Sequence, residues 1–350
     1  MIITDDMLSA AFCYRETNLW HILTDSDVFA FRLSDGETGY CCVMGNAGEH
    51  LALGFYKGKE GFTSYLNTTT MPEQQITEFE ALETMMTFDC INCDFMSAAD
   101  LNDKTKKVIR SYANANGVKI RRPNGWPDFT RHEPYRMRYG ITFEEDARDI
   151  TEALHAAIAV AGQLETSDLG TLGFDEKGNY PTKKGGKSVP YLIPNGDGTF
   201  EWSTTKLPGL MKREYVTPKF NNDILSSIVK ALPKSDALQL RLIHLPASEE
   251  SADKPSLFPA LMLCVHPGTG YLFPIYSTED VETNPMSLLV QLVNTFRQNK
   301  GKPEFIQVED PRTEAFLKDF CHQCGIILSR ESTLPPLNEA WNALIRNFMM

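Results

Sequence analysis

The sequence predicts an α/β protein built as two tandem modules, each a three-stranded meander followed by αβαβα. Three observations point there. The stretch 39–62, GYCCVMGNAGEHLALGFYKGKEGF, reads as two apolar strands, 40–44 and 51–56, around a Gly-rich tip (Gly45, Gly48) and closed by Gly58 and Gly61. The stretch 260–276, ALMLCVHPGTGYLFPIY, repeats the arrangement around a second Gly-bearing turn. After each of them, helix-period segments alternate with short apolar runs.

In order, residues 7–24 carry a helical stripe of Leu8, Phe12, Leu19 and Leu23, and 28–33 (VFAFRL) is a strand before the turn SDGETG. The two strands of the opening stretch complete the meander. A helix is expected from Pro72 to Phe88, a strand over 90–97, and a helix over 104–116 that Gly117 ends in a left-handed cap. A short strand is expected over 118–121. Thr142 and Glu145 have capping-box spacing at the head of a helix whose apolar face includes Phe143, Ala147, Ile150, Leu154 and Ile158. Residues 165–187, rich in Gly, Lys, Asp and Thr, read as a linker or mobile loop, and 189–193 and 199–202 flank PNGDG as a hairpin.

The pattern then restarts: a helix over 221–232, a strand over 238–245, the acidic loop SEESAD at 248–253 and strands over 261–265 and 271–276. Asn284–Pro285 opens a helix. A strand over 305–308, a helix over 313–324 capped by Gly325, a strand over 326–328 and a helix over 335–348 complete the chain. The expected division is an N-terminal α/β module over 1–165, a linker with a β-hairpin over 166–215, and a C-terminal α/β module over 216–350. The element order of both modules is ribonuclease H-like, an analogy of topology that carries no function across.

Register survives at two places. Setting 19–33 against 228–242 gives identities at Leu23/Leu232, Ser26/Ser235, Asp27/Asp236, Arg32/Arg241 and Leu33/Leu242. Setting Gly117 against Gly325 pairs Val108, Ile109 and Tyr112 with Phe316, Leu317 and Phe320, one helical stripe in each half. Both suggest a tandem duplication.

A net charge of −12 argues against a general nucleic-acid or anionic-membrane surface. No apolar run reaches the roughly 18 residues of a membrane span, and MIITDDMLSA lacks the basic start of a signal peptide. The expected location is cytoplasmic, where the 8 cysteines stay reduced.

The CxxC pairs Cys90/Cys93 and Cys321/Cys324 are poor zinc ligands. On a strand, residues three apart face opposite sides, and the second pair continues an apolar helix stripe at the wrong helix end for a redox thiolate. Neither metal nor cofactor is expected. At the tip, Glu49 and His50 form a candidate acid/base pair. Asp94, on the fourth strand, is the acid that could complete a hydrolase site with them. Residues 119–138, KIRRPNGWPDFTRHEPYRMR, hold 6 Lys/Arg against 2 acids. There Arg121, Arg122, Arg131 and Arg136 are candidate anion binders, and Trp126, Phe129 and Tyr135 candidate aromatic contacts. The alternative is that these arginines pair with Glu144, Glu145, Asp146 and Asp149 downstream. Two-metal nuclease chemistry needs carboxylates on the first strand, and VFAFRL and LQLRLIHL have none inside.

Over most of its length the chain resembles an uncharacterised family of bacterial cytoplasmic proteins of unknown function. The resemblance rests on YCCVMGNAGEHLALGFYKGKEGF, WPDFTRHEPYRMRYGIT and PEFIQVEDPRTEAFLKDFCHQCGIILS. It implies the layout of two tandem α/β domains of unknown function, and no activity. The leading functional expectation is a non-catalytic binding or scaffold protein with a protein or anionic ligand as partner. The alternatives are a metal-dependent hydrolase or phosphodiesterase around Glu49, His50 and Asp94, and nucleic-acid binding through 119–138.

Overall fold

The computed structural model describes residues 1–48, 50–70, 78–121, 123–175, 180–245, 256–273, 275–277, 281 and 283–348. The chain forms two compact units, the first over Met1–Met211 and the second over Lys212–Ser248 with Leu257–Met350.

In the first unit α1 (Asp5–Thr17) starts at Thr4, whose hydroxyl accepts the Met7 amide. It stops earlier than its apolar stripe suggests, because Asn18 turns left-handed at φ 51°. Strands β1 (Phe29–Arg32), β2 (Thr38–Met44) and β3 (Ala52–Lys57) form the expected antiparallel meander. Next comes α2 (Gly58–Thr69), a helix the sequence reading missed. Gly58, at φ 61°, turns the chain out of β3, and a Cβ on Gly61 would sit 3.3 Å from the Tyr56 carbonyl carbon. Glycines that looked like the close of a strand therefore admit a helix. Phe62, Tyr65 and Leu66, at helical spacing, are its buried face.

Then follow α3 (Glu78–Met86), β4 (Cys90–Met96), α4 (Asp103–Ala115), β5 (Trp126–His132), β6 (Tyr139–Gly140), α5 (Glu144–Leu164), α6 (Leu169–Leu172), β7 (Ser188–Pro194) and β8 (Phe200–Lys206). The sheet runs β6-β5-β4-β3-β2-β1-β7-β8, antiparallel throughout except between β1 and β7. It is covered on both faces. Phe31, Cys41, Val43, Leu53, Phe55, Cys93 and Phe129 pack with α1, α4 and α5. Ala30, Tyr40, Cys42, Tyr56 and Cys90 pack with α2. Burial on both faces explains why β2 reads as an unbroken apolar run.

Several local expectations are corrected. Residues 118–121 form no strand, and the supposed loop over 119–138 contains β5, paired along its length with β4. The Thr142/Glu145 capping box does not form: Phe143 is the N-cap, has no side-chain cap bond and is 58% exposed, while Glu145 pairs with Lys57. The stretch 165–187 carries α6 and buries Leu172 and Phe174. The hairpin β7–β8 joins the first unit's sheet beside β1. The expected helix start at Pro72 and the acidic loop at 248–253 lie outside the described residues.

The second unit contains α7 (Asp223–Ala231), β9 (Lys234–Ser235), β10 (Leu238–His244), β11 (Ala260–Val265), β12 (Leu272–Phe273), β13 (Tyr276–Ser277), α8 (Met286–Gln298), β14 (Lys302–Pro303), β15 (Phe305–Val308), α9 (Pro311–Cys324), β16 (Ile327–Arg330) and α10 (Pro335–Phe348). Its main sheet runs β12-β11-β10-β15-β16, with β13 also on β11 and β9 paired separately with β14. β11 is antiparallel to β10, while β15 and β16 continue parallel on its other side. Asp310 caps α9 through the Thr313 amide, and Gly325 ends it left-handed as expected.

Both units keep the element order of a meander followed by αβαβα, and they part in strand order. β1 and β10 hold equivalent places, antiparallel to the next strand and parallel to one partner. The first register match therefore joins corresponding strands. The second does not. In the first unit the chain returns after α3 on the β3 side, so β4 is antiparallel there. After α8 the second unit's chain crosses β10, making β15 parallel to it. Thus α4 and α9 occupy different topological positions, and the Gly117/Gly325 match does not reflect a shared layout.

Candidate functional site

The register of β4 and β5 sets Asp94 opposite Asp128, Asn92 opposite Thr130 and Cys90 opposite His132. Because side chains alternate, these residues share one face. His50 lies just before β3, whose first residue Ala52 pairs with Asp94. Its Nε2 is 2.9 Å from Asp94 Oδ1; the imidazole is 57% exposed and the carboxylate 8%. The Thr130 hydroxyl donates to Asp94 Oδ2 at 3.4 Å. A buried carboxylate on a central strand thus holds a histidine that faces solvent.

The electrostatics follow from this packing. The hydrogen bond to Asp94 raises the His50 pKa above its usual value, against burial and the Arg138 charge. Burial pushes the Asp128 carboxyl up to about 6, helped by the Asp94 charge and opposed by Arg138 and the Phe129 amide. Burial pulls His132 down to about 4, with Arg138 and Arg131 adding to the effect and Asp94 opposing it. The exposed Arg138 therefore acts on His50, Asp128 and His132 alike.

Asp128 gives a test of this crowding. Its folded pKa of about 6 lies above the unfolded value, so the folded state binds its proton more tightly. That contribution to stability is present below pH 4 and is lost as pH rises through about 6. Asp128→Asn should raise stability at pH 7 by about 1–3 kcal/mol and change it little at pH 4. Urea unfolding at the two pH values measures this, and an equal effect at both would remove the crowded-carboxylate reading.

Of the residues expected at a site, the fold brings His50 and Asp94 together, while Glu49 and Arg122 lie outside the described residues. The aromatic contacts expected over 119–138 are not presented to solvent. Trp126, Phe129 and Tyr135 are buried, at 8%, 1% and 4% exposure. Arg121 pairs with Glu16, and Arg136 with Glu133 at 3.3 Å. Arg131 donates to Asp89 at 2.6 Å and to the Cys90 and His132 carbonyls, and lies 3.6 Å from Asp146. One downstream acid thus does receive an arginine of this segment. Arg138, which the sequence places among the same interleaved arginines, is the one whose charge bears on His50.

Among the described residues, Asp35, Glu145 and Asp149 form the one group whose ligand atoms cluster as a metal would require. Lys57 Nζ already sits among them, at 2.7, 2.6 and 2.8 Å. Arg148 adds a second cation, 3.1 Å from Asp149. This is an internal ion-pair node with its positive charge supplied by the chain.

The cysteines behave as expected. Cys90 and Cys93 belong to the cores on opposite faces of the sheet, and Cys321 and Cys324 are buried on α9. Burial raises all four thiols, Cys324 to about 11. In the second unit β10 buries Gln239, Arg241 and His244, and Arg241 donates to Glu309 and to Asn338, so the acid after β15 is matched by the chain. His266 at the second tip finds its acid in Asp236, 3.3 Å away, a pairing 30 residues apart in sequence.

Among the described residues no helix is long and apolar enough to cross a membrane. None of the curated proteins matches the chain. A solved structure, the HTLV-2 integrase catalytic core domain in complex with magnesium in its trimeric form, matches at 19% identity over 33% of this chain and 70% of that one. With a TM-score of 0.24, the likeness carries no argument about chemistry. Residues 225–345 match a second domain of unknown function, DUF6930. Residues 5–180, half of the sequence, match the domain of unknown function DUF7309, and the chain belongs to that family.

Proposed function

We propose that the first unit carries a water-activating acid–base site and that the protein is a hydrolase for an anionic ester in the cytoplasm. The observation that carries this reading is the 2.9 Å contact between an exposed His50 ring and the buried Asp94 carboxylate. Nε2 of the neutral ring donates to Asp94, which leaves the Nδ1 lone pair to take a proton from water. Asp94 then stabilises the imidazolium that forms, and its place on β4 fixes the ring's orientation. Arg138 supplies charge for an anionic group of the substrate. The free cysteines of the chain suit a reducing compartment.

His50→Gln should lower kcat/KM about 100-fold or more on a responsive ester, within the usual range for a general base. The panel is p-nitrophenyl phosphate, bis(p-nitrophenyl) phosphate and p-nitrophenyl acetate. The wild-type rate should rise with pH through a His50 pKa above its usual value, and Asp94→Asn should move that inflection down. Turnover equal in wild type and His50→Gln would end the reading. So would a His50 NMR titration that Asp94→Asn leaves unmoved. Binding without turnover is the second reading. It is favoured by one observation: among the described residues His50 bonds to Asp94 and to no nucleophilic side chain.

A further inference from the structure

Asp128 stands apart from the other acids of the first unit's sheet. Asp89 and Asp146 share Arg131, and Asp35, Glu145 and Asp149 share Lys57. Among the described residues no side chain hydrogen-bonds to Asp128 or forms an ion pair with it; it has the Phe129 amide and the nearby charge of Arg138. The residue is half-buried. Its place in the ladder gives this meaning. Asp94 on β4 is the middle of a row, with Ala52 of β3 on one side and Asp128 of β5 on the other. The chain entering β3 brings His50 onto the Asp94 carboxylate from the first side. His50 and Asp128 therefore flank one buried carboxylate from opposite sides, and strands two apart in a sheet lie about 10 Å from each other. Inverting glycosidases set their base and acid on such a span, which holds a water and the substrate group between them.

We propose that Asp128 is the proton donor to the leaving group, and that the substrates are anionic esters of unactivated alcohols. This rests on His50 acting as the base. Neutral His50 takes a proton from water, and the water oxygen bonds to the ester centre as the bond to the alcohol oxygen breaks. The Asp128 carboxyl gives its proton to that oxygen. The imidazolium then returns its proton through solvent to Asp128, so each cycle consumes one water and leaves the protein unchanged. Burial and the Asp94 charge hold the Asp128 carboxyl at about 6, against Arg138 and the Phe129 amide, so a protonated fraction persists near neutral pH. His132, on the same face of β5, stays neutral there with its pKa at about 4. The buried Cys93 thiol feels the Asp128 charge from the other face.

The test compares phenyl and p-nitrophenyl esters of whichever class in the panel responds. Nitrophenolate leaves with little help, whereas phenolate needs a proton. Asp128→Asn should lower kcat/KM about 100-fold on the phenyl ester and about threefold on the p-nitrophenyl ester. In wild type the phenyl ester should give a bell-shaped pH profile, and Asp128→Asn should remove its falling limb. The variant should be at least as stable as wild type at pH 7, so unfolding would not account for the loss. A His50→Gln loss combined with an Asp128→Asn cost that is nil, or equal on both esters, would overturn the proposal and leave the base standing. No change in His50→Gln, or no turnover of any ester by wild type, would end both.

Discussion

Phe129→Ala should destabilise the first unit by about 3–5 kcal/mol, as expected when a large aromatic is removed from a packed core. Phe129 is 1% exposed at the middle of β5, facing Cys93 across the ladder and belonging to the cluster that packs with α1, α4 and α5. A ring placed to stack on a ligand would be partly solvated, and its loss would change stability by at most about 0.5 kcal/mol. Urea unfolding with a free m-value separates the two, since truncation of a core residue shifts the midpoint and leaves the slope. A loss under about 1 kcal/mol would restore the surface role. Its neighbour in sequence should respond with the opposite sign, because Asp128 lies on the other face, where burial and Asp94 oppose its charge. Opposite effects at successive positions are the signature of a strand, and a loop would not produce them.

The same segment shows why part of the site was hidden in the sequence. Asp128, Phe129 and Thr130 alternate polar, apolar and polar, which is a strand signal, yet the surrounding prolines and arginines read more loudly as a loop. Most elements were legible because their periodicity is local: β10, β11, α8, α9 and the Gly117 and Gly325 ends fall where patterning puts them. α2 was hidden because Gly58 and Gly61, needed for a sharp turn and a close approach to Tyr56, resemble the end of a strand. The His50–Asp94 pair depends on β3 lying beside β4, residues 44 positions apart made neighbours by register. No window of sequence contains that. The path of the chain after each meander is likewise invisible locally, and there the likeness of the two halves stops.

Arg241→Leu alone should destabilise the second unit by about 3–5 kcal/mol, because it strands the charge of Glu309 in a buried setting. Arg241 is 3% exposed on β10; Glu309 also accepts from the Leu334 amide and, at 3.0 Å, from Asn338. Glu309→Gln alone should be costly for the mirror-image reason, leaving a buried guanidinium without the Glu309 charge. The double variant Arg241→Leu/Glu309→Gln removes both charges and keeps an acceptor for the Leu334 amide. It should recover most of the loss, to within about 1–2 kcal/mol of wild type, since a buried ion pair is worth little against a neutral filling. The cycle therefore predicts strong coupling, read from chemical unfolding of all four proteins. The functional consequence concerns what this interior can hold. Its acid is matched by an internal guanidinium, which offsets the Glu309 charge that would otherwise draw a divalent cation. Losses that simply add would show the two side chains to be solvated and independent. Glu309 would then be available as a ligand.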